Sequence, residues 1–171
     1  MSTLATPTPS DTVAQIAQAK EFTEVGTGLF LSTFAAVPDD KLNYSPSATS
    51  KSPLRLAGHV SVAANAFASL LRGEPAPEIP LADMVAWMDE EEKKIATRDE
   101  AVQALTSSKE AVISAIDGLT PEAIARTINT PFGEFPTPFL MSLCGLHPAC
   151  HAAQVDYVQT TYGDLENHFP M

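Results

Sequence analysis

Two of the four histidines lie four residues apart in His147-Pro148-Ala149-Cys150-His151. On an α-helix that spacing places two imidazoles one turn apart and within ~40° of each other in azimuth, so both can reach one ion. With His147 as reference, Leu140, Leu143, Gln154 and Val158 fall within ~40° of the same direction, which sets the pair on the apolar face of its helix. A third histidine, His59, shares a stripe with Leu56, Ala63 and Phe67 in another helical segment. Neutral imidazole suits Zn²⁺, Ni²⁺ or Cu²⁺, and three protein ligands leave a coordination position for water or substrate, as catalytic rather than structural sites do. The competing account is a hydrogen-bonded or exposed HxxxH pair, commoner in helical proteins than a chelate. A third imidazole on an apolar stripe favours an ion, because the buried ring nitrogens would otherwise need several polar partners. The spacing identifies no residue as catalytic acid, base or nucleophile.

Other chemically able residues are weaker candidates. Cys150 lies ~60° off the His147 azimuth and is expected to be a small buried hydrophobe rather than a fourth ligand. Gln154 falls between the two histidines and can orient a ligand or make a helix–helix hydrogen bond. The run Asp89-Glu90-Glu91-Glu92-Lys93-Lys94 alternates charge at helical spacing and is expected to be a solvated face without chemistry. His168 is expected in a mobile C-terminal tail, not as a ligand. Without HExxH the glutamate base of the usual metalloproteases is missing, which argues against proteolysis.

These residues must be held by helices. Ser10 is expected to cap a first helix over 10–36, with Phe22, Val25 and Leu29 on one stripe and Phe30 and Phe34 beside it. Residues 37–51 lack apolar periodicity and read as a long ordered loop. Ser52-Pro53 opens a second helix that ends at Gly73. Three prolines make residues 74–80 a linker. Leu81, Val85, Met88 and Ile95 suggest a shorter helix over 81–95. Thr97 with Glu100 is a capping-box pattern for a helix over 98–117, in which Lys109 interrupts the apolar stripe and is expected to snorkel. Thr120-Pro121-Glu122 can start a short turn of helix, and Thr127 to Pro138 reads as a loose extended segment without a sheet. A last helix over 138–162, capped by Thr137 and stopped by Gly163, carries the histidine pair. Pro148 within it is expected to kink the helix at the Cys144 carbonyl and re-aim His147. Four long amphipathic helices predict an all-α four-helix bundle over 10–165, with tails at 1–9 and 166–171.

Composition bounds the function. With 171 residues, 44% hydrophobic and 18% charged, the chain can bury the core of a single domain. Ten Lys and Arg against twenty-one Asp and Glu give a formal charge of −11, a poor match to nucleic acid. No apolar run approaching a membrane span and no basic, apolar leader is apparent, so a cytoplasmic location is expected. Cys144 and Cys150, six residues apart on one helix, point to different faces and are not expected to pair.

Two segments resemble the DinB/YfiT-like family, four-helix, mostly bacterial proteins with a three-histidine metal site. Leu42-Asn43-Tyr44-Ser45-Pro46-Ser47 through Ser52 to Leu56-Ala57-Gly58-His59-Val60 is similar to that family's loop into its second helix. His147 and His151, followed by Gln154, Tyr157, Gln159 and Tyr162-Gly163-Asp164, resemble its fourth-helix pattern. The resemblance implies an up-down-down-up bundle that binds one divalent transition-metal ion, Zn or Ni, at His59, His147 and His151, and that forms a homodimer. It also implies a small-molecule substrate and a metal-dependent thiol transferase-like or hydrolase-like activity, with a low-molecular-weight thiol as a candidate cofactor. Ala152 and Ala153 stand where the family more commonly has Arg-Gly, removing any contact that arginine makes. The alternative is a non-catalytic, dimeric metal-binding or stress-response protein.

Overall fold

The computed structural model describes residues 6–169, so residues 1–5 and 170–171 of the expected tails lie outside it. Helix α1 (Pro9–Ala35) is followed by a 3-10 turn (Asp39–Lys41), α2 (Pro53–Arg72), α3 (Leu81–Glu92), α4 (Arg98–Asp117), α5 (Pro121–Ala125), β1 (Thr127–Thr130), β2 (Gly133–Pro136) and α6 (Thr137–Thr160). The four long helices form the bundle: α1 packs chiefly on α6 and α2 chiefly on α4, with α1–α4 and α2–α6 contacts closing it. The fold is an all-α helical bundle.

Local sequence sets most helix ends. Thr97 and Glu100 form the expected capping box on α4, and Ser52 accepts from Arg55 N at the start of α2. Gly73, at φ +84°, stops α2 in the left-handed region that glycine enters without steric penalty. The first helix starts slightly earlier than expected, because Thr8 and Asp11, rather than Ser10, make the cap. Thr137 is the first residue of α6 rather than its cap, and its hydroxyl donates to the Arg126 carbonyl (2.9 Å).

Three expectations about faces are overturned. On α1 the apolar residues Phe22 and Val25 are exposed, while Thr23, Gly26, Thr27, Phe30, Thr33 and Phe34 are buried. The Thr23 and Thr33 hydroxyls donate to the Ala19 and Leu29 carbonyls, so hydroxyl burial there leaves no donor unsatisfied, and small residues let α6 come close. On α3, Leu81, Val85 and Trp87 are exposed, and only Met84 and Glu92 are buried. Residues 127–136 form an antiparallel hairpin in place of the expected loose segment, with Ile128 opposite Phe135 and Gly133 at φ +118° in the turn. Ile128 packs into the core with Ile124 and Leu140, which gives this short strand an inward anchor.

Apolar packing gathers in two clusters. One joins Leu71, Val112, Ile116 and Leu140; the other joins Phe30, Phe34, Leu54, Leu105 and Val155. Burying each of these side chains stabilises the fold by roughly 1.5–3 kcal/mol. In α6 the first cluster ends at Cys144 and the second begins at Ala152, and the histidine pair falls between them. Helix α2 is long and apolar enough to cross a membrane by composition, contrary to the expectation that no such segment exists, but half of its residues are buried in the bundle.

Candidate metal centre

The structure brings His59 from α2 together with His147 and His151 from α6. One ring nitrogen from each lies within 4.8 Å of the other two, and all three residues are half-buried. The ring centroids are 5.1 Å apart for His59 and His147, 4.7 Å for His59 and His151, and 4.4 Å for His147 and His151. Phe67, two turns further along the His59 stripe, sets its ring edge-on to His147 at 5.6 Å.

Pro148 does not re-aim His147. Helix α6 runs unbroken through it, and the Nε2 atoms of His147 and His151 face each other at 3.1 Å. Proline lacks a backbone N–H, so the Cys144 carbonyl loses its helical donor, while the residues on either side keep theirs. Pro148 itself is buried within the continuous helix.

The far nitrogens of two rings are occupied. His151 Nδ1 lies 2.6 Å from Gln154 Oε1, the orienting contact expected of Gln154. His59 Nδ1 lies 2.8 Å from Glu92 Oε1. Each oxygen is placed to accept a proton from Nδ1, the arrangement in which Nε2 carries the lone pair. Burial first, and then the neighbouring His151 and His59, push the His147 pKa down to about 3, so this ring is neutral. Burial also lowers the His151 pKa, against the opposing hydrogen bond that its Nδ1 makes to Gln154 Oε1. Two atoms on one ion at ~2.0–2.1 Å are separated by about 2.9–3.4 Å in octahedral or tetrahedral geometry, and the observed 3.1 Å falls inside that interval. His59 and His151, each engaged through Nδ1, together with the neutral His147 therefore offer three ring nitrogens to a divalent transition-metal ion.

Glu92 is a site residue that the sequence reading assigned to solvent. Its side chain is 2% exposed; Oε1 meets His59, while Oε2 accepts from Arg55 (3.1 Å) and Lys51. Burial raises its pKa, yet hydrogen bonds from Lys51, His59 and Arg55 prevail and hold the carboxyl below its ordinary value. Asp89 shares Arg55 with Glu92, whereas Glu90 pairs with Lys93 and Glu91 with Lys94 on the outer side of the helix. The available signal was Gly58, immediately before His59, which marks a close backbone approach.

The remaining candidates settle elsewhere. Cys150 is exposed, not buried as expected, because it points away from the bundle; Cys144 is the buried thiol, and both are free. Burial pushes the Cys144 pKa up to about 12. His168 is not in a free tail. Its side chain lies between Asp156 (3.4 Å) and Asp164 (3.5 Å), apart from the histidine cluster, and the Ser32 hydroxyl donates to its carbonyl. Lys109 ends on Glu24 at 2.7 Å. A cleft of about 590 Å³ between α1 and α6, lined by Gln15, Phe22 and Met141, does not contain the histidines. Donor chemistry, rather than the size of a cleft, marks the site.

The model of the DinB superfamily matches residues 23–155, a span that includes all three histidines. The chain belongs to the DinB superfamily. Among solved structures, a DinB-like protein (YjoA) from Bacillus subtilis matches with a TM-score of 0.64 at 18% identity, covering 90% of this chain and 96% of that one. At that identity the likeness is one of fold. No curated protein matches the chain.

Proposed function

We propose that this DinB-superfamily protein is a metal-dependent enzyme acting on a small molecule, with one divalent transition-metal ion, Zn or Ni, held by His59, His147 and His151. The observation that carries the reading is the convergence of three imidazoles, two of which are oriented through Nδ1 by Glu92 and Gln154. A bound ion supplies Lewis acidity there and lowers the pKa of a coordinated water or thiol. The chain contributes three imidazole ligands, and Phe67 packed on His147 limits water on that side. Thiol transfer or hydrolysis follows from this donor set together with the family resemblance, with a low-molecular-weight thiol as co-substrate in the first case. Nothing in the charge or surface favours nucleic acid or membrane as partner, and the protein is proposed to act in the cytoplasm. Exposed Phe22 and Val25 on α1, with Leu146 on α6, support a homodimer through this face.

The test is elemental analysis of purified protein, paired with a screen of thiols against electrophiles. Stoichiometric metal that disappears in the His59→Ala, His151→Ala double variant, with helix content retained, is the expected result. His168→Ala should keep its metal. Full occupancy in the double variant would show the ion to be held elsewhere. A coordination sphere closed by a fourth protein atom, with no exchangeable water, would replace the catalytic reading with a structural one.

A further inference from the structure

Helix α3 buries almost nothing apolar. Among the described residues Glu92, its last, is the one charged side chain buried in the protein, and Met84 is the only other buried residue of the helix. A carboxylate taken out of water in this way needs partners, and it has three on two oxygens. Lys51 and Arg55 together hold Oε2, which leaves the carboxylate one orientation, with Oε1 aimed at His59 Nδ1. The backbone is fitted to the same end. A Cβ on Gly58 would lie 2.7 Å from the Glu92 carbonyl oxygen and 3.1 Å from its Cα, so only glycine beside His59 lets the end of α3 rest on α2.

We propose that Glu92 is a positioning residue for the metal site: delivered by α3 across Gly58, it fixes the proton of His59 on Nδ1 and so presents the Nε2 lone pair to His147 and His151. The proposal rests on the three-histidine reading for its consequence and on the metal-free geometry for its cause. Carboxylate–histidine–metal relays of this kind set both tautomer and ring orientation, and losing the carboxylate typically weakens metal binding about 10–100-fold. Lys51 and Arg55 act one step further out, on Glu92 rather than on His59.

Two measurements test it. In the metal-free protein, long-range ¹H–¹⁵N correlation should find the His59 proton on Nδ1 in the wild type and displaced from it in Glu92→Ala. In zinc titrations against a competing chelator, Glu92→Ala should bind about 10–100-fold more weakly with unchanged helix content. Glu92→Gln keeps the side-chain volume, but Lys51 and Arg55 claim its one amide oxygen and leave the NH2 facing Nδ1, so it too should displace the proton and weaken zinc binding. A folded Glu92→Ala with wild-type tautomer and wild-type zinc affinity would overturn the proposal. So would a wild-type His59 protonated on Nε2, a result independent of any variant's folding. Wild-type protein that binds no zinc would instead remove the three-histidine reading, with the tautomer measurement still deciding the role of Glu92.

Discussion

Gly26 and Gly28 stand two residues apart on α1 and should respond to alanine with opposite signs. A Cβ on Gly26 would lie 2.0 Å from the Gly145 carbonyl oxygen of α6, about 1.4 Å inside the 3.4 Å edge of ordinary contact, whereas a Cβ on Gly28 meets nothing within 4 Å. Alanine stabilises an exposed helical position by up to ~1 kcal/mol over glycine, through backbone entropy lost less on folding. Gly28→Ala should realise most of that gain. At Gly26 the same gain is opposed by overpacking, which ordinarily costs about 1–3 kcal/mol and here lies at the upper end, because the clash is with backbone that cannot rotate away. The net expectation is a loss of about 2 kcal/mol, and so a contrast of about 3 kcal/mol between the two variants. For a chain of this length each kcal/mol moves Tm by roughly 2–4 °C. Urea denaturation followed by far-UV circular dichroism, with thermal melts beside it, reads the difference. Stability of Gly26→Ala equal to or above that of Gly28→Ala would refute the close α1–α6 approach.

The metal-free protein should lose stability as pH falls from about 6.5 toward about 3. In that window the unfolded His147 takes a proton that the folded ring, its pKa pushed down to about 3, refuses. The contribution is intact above the unfolded value and declines by at most ~1.4 kcal/mol per pH unit; urea midpoints across pH should show a shallower decline in His147→Gln, and parallel curves would remove the assignment. The thiols should divide: a disulfide reagent should label exposed Cys150 in the native protein and spare buried Cys144, whose pKa is pushed up to about 12, until denaturant is added. Rapid native labelling of a Cys150→Ser variant would contradict the burial of Cys144.

What could be read from the sequence was local. The His147–His151 relation depends only on helix geometry, so it is predictable wherever the helix is, and it survives Pro148 because the helix does. Cap and stop residues placed α2 and α4 to within a residue. What could not be read was set by partners distant in sequence. Glu92 is 33 positions from His59, and its run carries the signature of a solvated face, which is correct for Glu90 and Glu91 and wrong for Glu92 and for Asp89, which binds Arg55 beside it. On α1 an apolar criterion selects Phe22 and Val25, whereas the buried face is chosen by size: threonine and glycine admit the α6 backbone, and larger residues would hold it off. The hairpin was hidden because its strands are four residues each and only Ile128 is buried, too little for a period-2 pattern to emerge.

The same size criterion bears on the histidines themselves. Gly145, two residues before His147, would place a Cβ 2.3 Å from the Phe22 carbonyl oxygen; Gly58, one residue before His59, would place one 2.7 Å from the Glu92 carbonyl oxygen. Each helix that carries an imidazole is thus pressed against a neighbour by backbone-to-backbone contact within two residues of that imidazole. Such contacts are stiffer than contacts between side chains, since no rotamer change can relieve or loosen them. The ring centroids lie 4.4 to 5.1 Å apart and His147 meets His151 Nε2 to Nε2 at 3.1 Å, spacings that would be lost if the helices could slide. Pinning the two backbones beside the rings, and then fixing His59 through Glu92 and His151 through Gln154, holds the lone pairs in place before anything binds. The glycines therefore serve the histidine cluster as much as the bundle, and an alanine at Gly145 should weaken zinc binding along with stability.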